Sequence, residues 1–439
     1  MIRLPARSSA LIALLYSLLP APCRAQDAAL STLLEQHRLD PSNADLCQQI
    51  GIAYTRQENF GEAEKFYREA IHLNPRFWAA HKNLGTVLWF EGRKEESERE
   101  FLAVTNVLPA DPVPHLYLGL AAYALRDFPR ARLQFEKAGT LASENPEVLP
   151  AVLESYLATK DMSFPEKVME KLTRVEEDPA LVTRVGGLFS QYGHAEQAYR
   201  AFSRAIEIAP NSEDAYVAFA EFASAHGNDD YALQVVARGL EHVPQSPPLL
   251  FEQGILSALK GDRTHAENSF VQANRLKPAW NLPLLALGVT QLESGDAVQA
   301  AAIFQKACAA DPRDSRAQYL YATALSRESG ANPAQARATA IAALRQAIQI
   351  NPDDARSHTL LGQLYLQTGK ADSAALEWQA ALKIDPENST SLYQLGLLYR
   401  KQGNAAEAER LLQRFRRVRA KAHSNEENLV QILRIEPNR

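Results

Sequence analysis

The chain has 439 residues, of which 46% are hydrophobic and 23% are charged, and its formal net charge is −5. This apolar content is sufficient for a continuous core and excludes an intrinsically disordered chain. The weakly acidic balance argues against nucleic acid as the main partner, because neutralising phosphates requires clustered Lys and Arg.

The first 25 residues have the layout of a secretory signal peptide. Arg3 and Arg7 precede an apolar run, and the small residues Cys23 and Ala25 occupy the −3 and −1 places of a cut after Ala25. A run of about 10 residues is too short to span a membrane, which needs roughly 20. We therefore predict a signal peptide over residues 1–25 and an exported protein, periplasmic or secreted. Retention of this segment as an uncleaved anchor, or lipid attachment at Cys23, are the alternatives.

The middle of the chain, from Pro247 to Asp314, is one 34-residue unit written twice. Repetition at this length is typical of a solenoid, in which each unit packs on its neighbours. Aligning the chain to this pair gives eleven units over residues 44–422, with six added residues around Ser329 in the ninth, where we expect a longer loop. The recurring positions are Gly254 and Gly288, Gly261 and Gly295, Ala266 and Ala300, Phe270 and Phe304, Ala273 and Ala307, and Pro278 and Pro312.

Each unit predicts two helices, so the expected fold class is all-α. In the tenth unit, apolar residues recur at spacings of three and four in two runs, and Gly369 between the runs can take the left-handed backbone that ends a helix. Pro386 stops the second helix. Gly362 leaves room where the helices come closest, and the ring of Trp378 fills that space. Helices at 27–43 and 423–439 are expected to cap the two ends of the solenoid.

This spacing resembles the tetratricopeptide repeat family from residue 44 to 422. The resemblance implies helix pairs wound into a right-handed superhelix, with first helices lining a concave groove, and a role as a scaffold or receptor for peptides or other proteins. The pattern is carried in the tenth unit by Leu361, Gly362, Tyr365, Gly369, Ala374, Trp378, Ala381 and Pro386.

Two binding signatures known in this family are largely missing. In members that clamp a carboxylate, Lys and Asn recur on three successive first helices, and only Lys82 and Asn83 resemble part of that set. Gln48 and Ile52 stand where its first Lys and Asn would be. The asparagine ladder of the sugar-transferase arms is also missing, and the repeats leave no segment long enough for a catalytic domain.

Projecting the groove-facing places of the first helices gives two apolar clusters as candidate partner-binding residues. Exposed aromatic and aliphatic side chains there would suit an apolar or aromatic partner segment. The alternative is that several of them pack between neighbouring first helices as core. The clusters are Trp89, Phe90, Leu116 and Tyr123 in units two and three, and Phe251, Ile255, Leu285, Val289 and Tyr319 in units seven to nine.

Other polar features have simpler interpretations. His81, His115 and His358 hold the same place in their units, and we expect packing or surface roles because no third metal ligand recurs there. Cys47 and Cys308 are expected to be buried and too far apart for a disulfide. The basic run from Arg410 to Lys421 is interpreted as a solvated face, with docking of an acidic partner or a membrane surface as the alternative.

The sequence thus predicts a non-catalytic protein-interaction scaffold that binds partner proteins or peptide segments in its groove, in an exported compartment. We expect no cofactor, no metal, no nucleic acid and no transmembrane segment in the mature chain, while the oligomeric state and partner stay open. The alternative is a substrate-presenting or regulatory accessory subunit of a separate enzyme or of an envelope assembly or export complex.

Overall fold

The computed structural model describes residues 26–172, 178–328 and 332–421. The predicted signal peptide and the predicted C-terminal capping helix lie outside these residues. Within them the chain is all-α, with 24 helices and no strand, as predicted. It divides into two compact units, residues 1–209 and 210–439, which are described separately.

In the first unit, repeats 1 to 5 are the helix pairs α2–α3, α4–α5, α6–α7, α9–α10 and α11–α12. The helix α1 precedes them, and α8 is a single turn between repeats 3 and 4. The bounds are α1 Gln26–Leu39, α2 Ala44–Arg56, α3 Phe60–Leu73, α4 Trp78–Phe90, α5 Lys94–Val107, α6 Pro112–Ala124, α7 Phe128–Ala138, α8 Thr140–Ser143, α9 Leu149–Ala158, α10 Ser163–Leu172, α11 Pro179–Gln191 and α12 Ala195–Ile208.

In the second unit, repeats 6 to 11 are six successive pairs, from α13–α14 to α23–α24. The bounds are α13 Glu213–Ala225, α14 Asp229–His242, α15 Pro247–Leu259, α16 Arg263–Leu276, α17 Leu282–Glu293, α18 Ala297–Ala310, α19 Ser315–Arg327, α20 Pro333–Ile350, α21 Ala355–Gln367, α22 Ala371–Ile384, α23 Ser389–Lys401 and α24 Ala405–Lys421. No helix among the described residues of the chain combines the length and the apolar character that crossing a membrane requires.

In seven of the eleven repeats, the two helices of a pair meet where a glycine of the first helix faces a ring of the second. A Cβ atom added to Gly362 would lie 2.5 Å from Nε1 of Trp378, and one added to Gly288 would lie 2.5 Å from the ring of Phe304. Trp378 is fully buried, and its Nε1 donates a hydrogen bond to the carbonyl oxygen of Thr359 at 3.1 Å. The predicted packing role of Gly362 is therefore confirmed, and the ring forms the core of its pair.

The turn inside a pair also follows the prediction. Gly369 has a φ of 75°, in the left-handed region, and directly follows Thr368, which caps the C-terminus of α21. The amide of Gly369 donates to the carbonyl oxygen of Leu366 at 3.1 Å. This closes the first helix and brings the chain back for the second.

Repeat 9 corrects one expectation. The added residues were expected to lengthen a loop, but α20 has 18 residues where α18 and α22 each have 14. Four of the six added residues therefore extend the second helix, and only two lengthen the connection. The reason is local composition, because the start of α20 is rich in alanine, the strongest helix former.

The two cysteines that the structure describes are both free thiols. Cys47 is fully buried, as expected. Cys308 was expected to be buried too, but it is only partly buried at the edge of the second unit's core. It lies in the last turn of α18, next to the exposed residues Ala309 and Ala310.

Candidate functional site

In the first unit, the structure divides the predicted cluster into core and surface. Leu116 is 0% exposed, so a partner could not reach it without repacking. Trp89, Phe90 and Tyr123 are half-buried. The ring of Trp89 meets Tyr117 edge-on with centroids 5.9 Å apart, and Phe90 stacks on Phe60 at 6.4 Å. These three aromatics bridge neighbouring repeats and keep one side open to solvent.

A buried carboxylate joins the first helices of repeats 3, 4 and 5. Glu154 on α9 is 3% exposed and accepts hydrogen bonds from the hydroxyl groups of Tyr123 and Tyr192, the latter at 3.0 Å. Burial, and then the Glu154 carboxylate, raise the pKa of Tyr192 to about 12 and raise that of Tyr123 further. Sequence reasoning missed Glu154, although a lone acid in the otherwise apolar α9 was a usable signal.

In the second unit, three of the five predicted residues are core. Ile255, Leu285 and Val289 are 1%, 0% and 1% exposed and belong to one apolar cluster. Phe251 is half-buried at the edge of that cluster, with its ring 5.0 Å from that of Trp280. For these three aliphatic residues the structure shows a core position, which is the alternative that the sequence left open.

The fifth residue, Tyr319, lines a pocket that we call the repeat 9–11 pocket. Its volume is about 340 Å³, within the usual 300–1,000 Å³ range of ligand sites. The walls come from α19, α21 and the start of α23, which are first helices of three successive repeats. The lining residues are Tyr319, Thr323, Ser326, Arg327, Arg356, Thr359, Leu360, Gln363, Asn388 and Thr390.

Arg356 is held in place at the wall of this pocket. Its Nε donates to Oδ1 of Asp354 at 3.2 Å, and its guanidinium carbon lies 5.4 Å from the ring centroid of Tyr319. Asp354 also caps α21 by accepting from the backbone amide of Arg356 at 3.3 Å. Arg327 on α19 also lines the pocket, and it has no acidic side chain of the described residues within salt-bridge distance. Two guanidinium groups beside hydroxyl and amide side chains suit an anionic group on a partner.

The recurring histidines link the two helices of their own repeat through side-chain hydrogen bonds. Nδ1 of His81 lies 2.6 Å from Glu100 on the second helix, and Nε2 lies 3.1 Å from the carbonyl oxygen of Pro75. His358 repeats the arrangement with Glu377 and Pro352. In repeat 3 the partners of His115 are Gln134 and Pro109. Their recurrence is therefore explained by packing within each repeat.

Two further sequence features have partners within the chain. Nζ of Lys82, the residue that resembles part of a carboxylate clamp, lies 3.3 Å from Asp111 and 5.1 Å from the ring centroid of Trp78. In the basic run on α24, Arg414 donates to the carbonyl oxygen of Pro386 at 2.7 Å. Arg417 on the same helix is exposed.

Comparisons with known proteins match repeat models to several parts of the chain. Tetratricopeptide repeat models match residues 44–77, 190–250 and 389–426, and a TPR repeat model matches 338–369 and 362–403. Protein O-mannosyl-transferase TMTC3 of Homo sapiens is 27% identical over 199 residues, which are 44% of this chain and 21% of that protein. This chain therefore spans about a fifth of the length of that relative.

Solved structures of similar fold have low sequence identity. The crystal structure of yeast Tom70 is 14% identical and covers 89% of this chain and 93% of its own, with a TM-score of 0.43. The structure of YrrB, titled a TPR protein with an unusual peptide-binding site, is 20% identical and covers 44% of this chain and 97% of its own, with a TM-score of 0.36.

Paired helices joined through a glycine and a buried ring define an all-α helix-repeat protein. The spacing of these residues and the four matching repeat models narrow the class further. The chain belongs to the tetratricopeptide repeat family.

Proposed function

We propose that this protein is a non-catalytic scaffold that binds a partner protein or peptide segment on its first helices. The observation that carries the proposal is the repeat 9–11 pocket, where Arg327 of α19 and Arg356 of α21 line the wall together with the half-buried ring of Tyr319. A partner segment with a carboxylate next to an apolar side chain fits this chemistry, because arginine binds carboxylates with two parallel hydrogen bonds.

The absence of a catalytic role is part of the same proposal. Helix pairs account for almost all of residues 26–172, 178–328 and 332–421, so no separate catalytic domain lies within these ranges. We further propose that the protein acts in an exported compartment, on the layout of residues 1–25. Edman sequencing of the secreted or periplasmic protein should begin at Gln26, and an intact N-terminus in the cytoplasmic fraction would contradict export.

Capture experiments with the full chain test the binding proposal. Wild-type protein and the Arg356→Gln variant are each immobilised and exposed to the exported fraction of the source cells, and bound proteins are quantified by mass spectrometry. We expect Arg356→Gln to lower the yield of a specific partner about tenfold or more, since a hydrogen bond to a charged group is worth about 1.5–3 kcal/mol.

The matched control is Arg417→Gln, which removes the same charge from the exposed face of α24 and should leave the yield unchanged. Equal recovery by wild type and Arg356→Gln would overturn the role of the pocket. Recovery of one stable enzyme, lost in Arg356→Gln, would support the accessory-subunit alternative within the same binding mode.

A further inference from the structure

Three chemically reactive side chains from three different helices meet in the first unit. They are His37 on α1, Cys47 on α2 and Glu69 on α3. Sγ of Cys47 lies 3.7 Å from Nδ1 of His37, and Nε2 of the same ring lies 3.5 Å from Oε1 of Glu69. One donor atom from each residue lies within 4.8 Å of the other two, which no other trio of His, Cys, Asp or Glu does among the described residues.

These donors are the set that zinc takes in proteins. Zinc binds a thiolate at about 2.3 Å and an imidazole nitrogen at about 2.0–2.1 Å in a tetrahedral arrangement, so those two ligand atoms stand about 3.5 Å apart. The 3.7 Å between Cys47 Sγ and His37 Nδ1 already matches this separation. One thiolate and one carboxylate also neutralise a divalent ion, which matters because an unbalanced charge is costly next to the fully buried Cys47.

The exposed fraction of the side chain increases from Cys47 to His37 to Glu69, so an ion could enter the trio from the side of Glu69. Cys47 is 0% exposed, the His37 side chain is 18% exposed, and the Glu69 side chain is 41% exposed. The ring of His37 is fixed edge-on against Phe66, with centroids 5.6 Å apart. Cys47 and His37 are thus positioned in advance, and the Glu69 carboxylate stands on the more exposed side of the trio.

A nucleophilic role for Cys47 fits the same geometry less well. Thiol, imidazole and carboxylate in a row resemble the order of a cysteine nucleophile and its base, but a substrate cannot reach a side chain that is 0% exposed. Burial, and then the Glu69 charge, raise the pKa of the Cys47 thiol to about 11. A metal ion binds the thiolate form of cysteine, so binding releases the thiol proton.

We propose that His37, Cys47 and Glu69 bind a divalent transition-metal ion of the zinc class, with a water molecule as fourth ligand. The ion would join α1 to both helices of the first repeat, and so fasten the N-terminal end of the described chain. Binding converts the Cys47 thiol to a metal-bound thiolate and releases one proton to solvent, so charge and atoms balance without a redox step.

The test uses the full chain, without an affinity tag, carrying Cys23→Ser and Cys308→Ser so that Cys47 is the only thiol. Titration with Co²⁺ should give a near-ultraviolet thiolate-to-cobalt band that saturates at one ion per chain. Zn²⁺ should bleach this band, raise the unfolding temperature and release one proton per chain. Failure of the band to appear would overturn the proposal.

Two variants separate the site from folding defects. Cys47→Ser is close in size and should abolish the band, and Glu69→Gln changes only a half-exposed carboxylate. We expect Glu69→Gln to weaken Zn²⁺ binding at least about a hundredfold, because losing even an outer partner of a ligand costs about 10–100-fold. Unchanged Zn²⁺ affinity in Glu69→Gln would remove the carboxylate from the site. If Cys47→Ser does not fold, the cobalt band of the parent and the Glu69→Gln affinity decide the question.

Discussion

The guanidinium group of Arg356 lies over the ring of Tyr319, 5.4 Å from its centroid. The two residues belong to first helices of successive repeats, so this contact ties repeat 9 to repeat 10 on the face that carries the repeat 9–11 pocket. Asp354 holds the same arginine from the other side at 3.2 Å. The pocket wall is therefore fixed before any partner arrives, which lowers the entropy cost of binding.

A double-mutant cycle on Tyr319 and Arg356 measures this contact without a partner. We expect Tyr319→Ala and Arg356→Gln to be coupled by about 0.5–2 kcal/mol in the free energy of unfolding, the range of a cation–π contact. Urea denaturation of the two single variants and the double variant gives the value. The control is Tyr319→Phe in place of Tyr319→Ala, which keeps a ring under the guanidinium and should show little coupling. Additive effects in the first cycle would mean that the contact contributes nothing to stability.

The core assignment of Leu285 leads to a second prediction. Leu285 is 0% exposed, and Leu285→Ala should destabilise the second unit by about 2–5 kcal/mol, as deletion of a buried leucine side chain usually does. Chemical denaturation followed by circular dichroism measures it. Tyr393→Ala is the comparison, since Tyr393 is 40% exposed and should lose far less. A loss under 1 kcal/mol for Leu285→Ala would indicate that this face is open in solution.

The difference in burial between Leu285 and Tyr319 shows what the sequence alone could not predict. Both occupy the same place on the first helices of adjacent repeats, and the repeat pattern predicted that this place faces the groove. Whether the side chain is then covered depends on what the neighbour offers. Arg356 stands beside Tyr319 and leaves it at the edge of a pocket, whereas the apolar cluster closes completely over Leu285.

Contacts within one repeat were easier to predict than the contacts that α1 makes with the first repeat. A glycine like Gly362 and a ring like that of Trp378 recur in several repeats with a fixed spacing, and the ring fills the space that the glycine leaves. Their packing roles could therefore be predicted from the repeat pattern. His81 and Glu100 could also have been paired, because His358 and Glu377 repeat the same separation of 19 residues. The meeting of His37, Cys47 and Glu69 could not be predicted in this way, because His37 lies on α1, which precedes the repeats.

Two adjacent glycines on α11 provide a matched test of helix packing. A Cβ added to Gly186 would lie 2.9 Å from the ring of Phe202, whereas one added to Gly187 would meet nothing within 4 Å. Gly186→Ala should therefore destabilise the protein by about 1–3 kcal/mol through overpacking. Gly187→Ala should stabilise it by about 0.5–1 kcal/mol, because alanine favours a helix over glycine. Thermal unfolding of both variants checks the pair, and the same sign for both would contradict the assigned helix faces.

The His81–Glu100 pair should make stability depend on pH. The hydrogen bond from the imidazole to Glu100 raises the pKa of His81 above its unfolded value, against the opposing effect of burial. A histidine with a raised folded pKa contributes stability that is fully present below the unfolded pKa of about 6.5 and is lost as pH rises through the folded value. The gap in unfolding free energy between wild type and His81→Gln should thus be larger at about pH 5.5 than at about pH 8.5. Glu100→Gln should reduce this pH dependence while keeping a hydrogen-bond partner, as Gln134 does for His115. A difference in unfolding free energy that does not change with pH would show that the His81–Glu100 pair acts through packing alone.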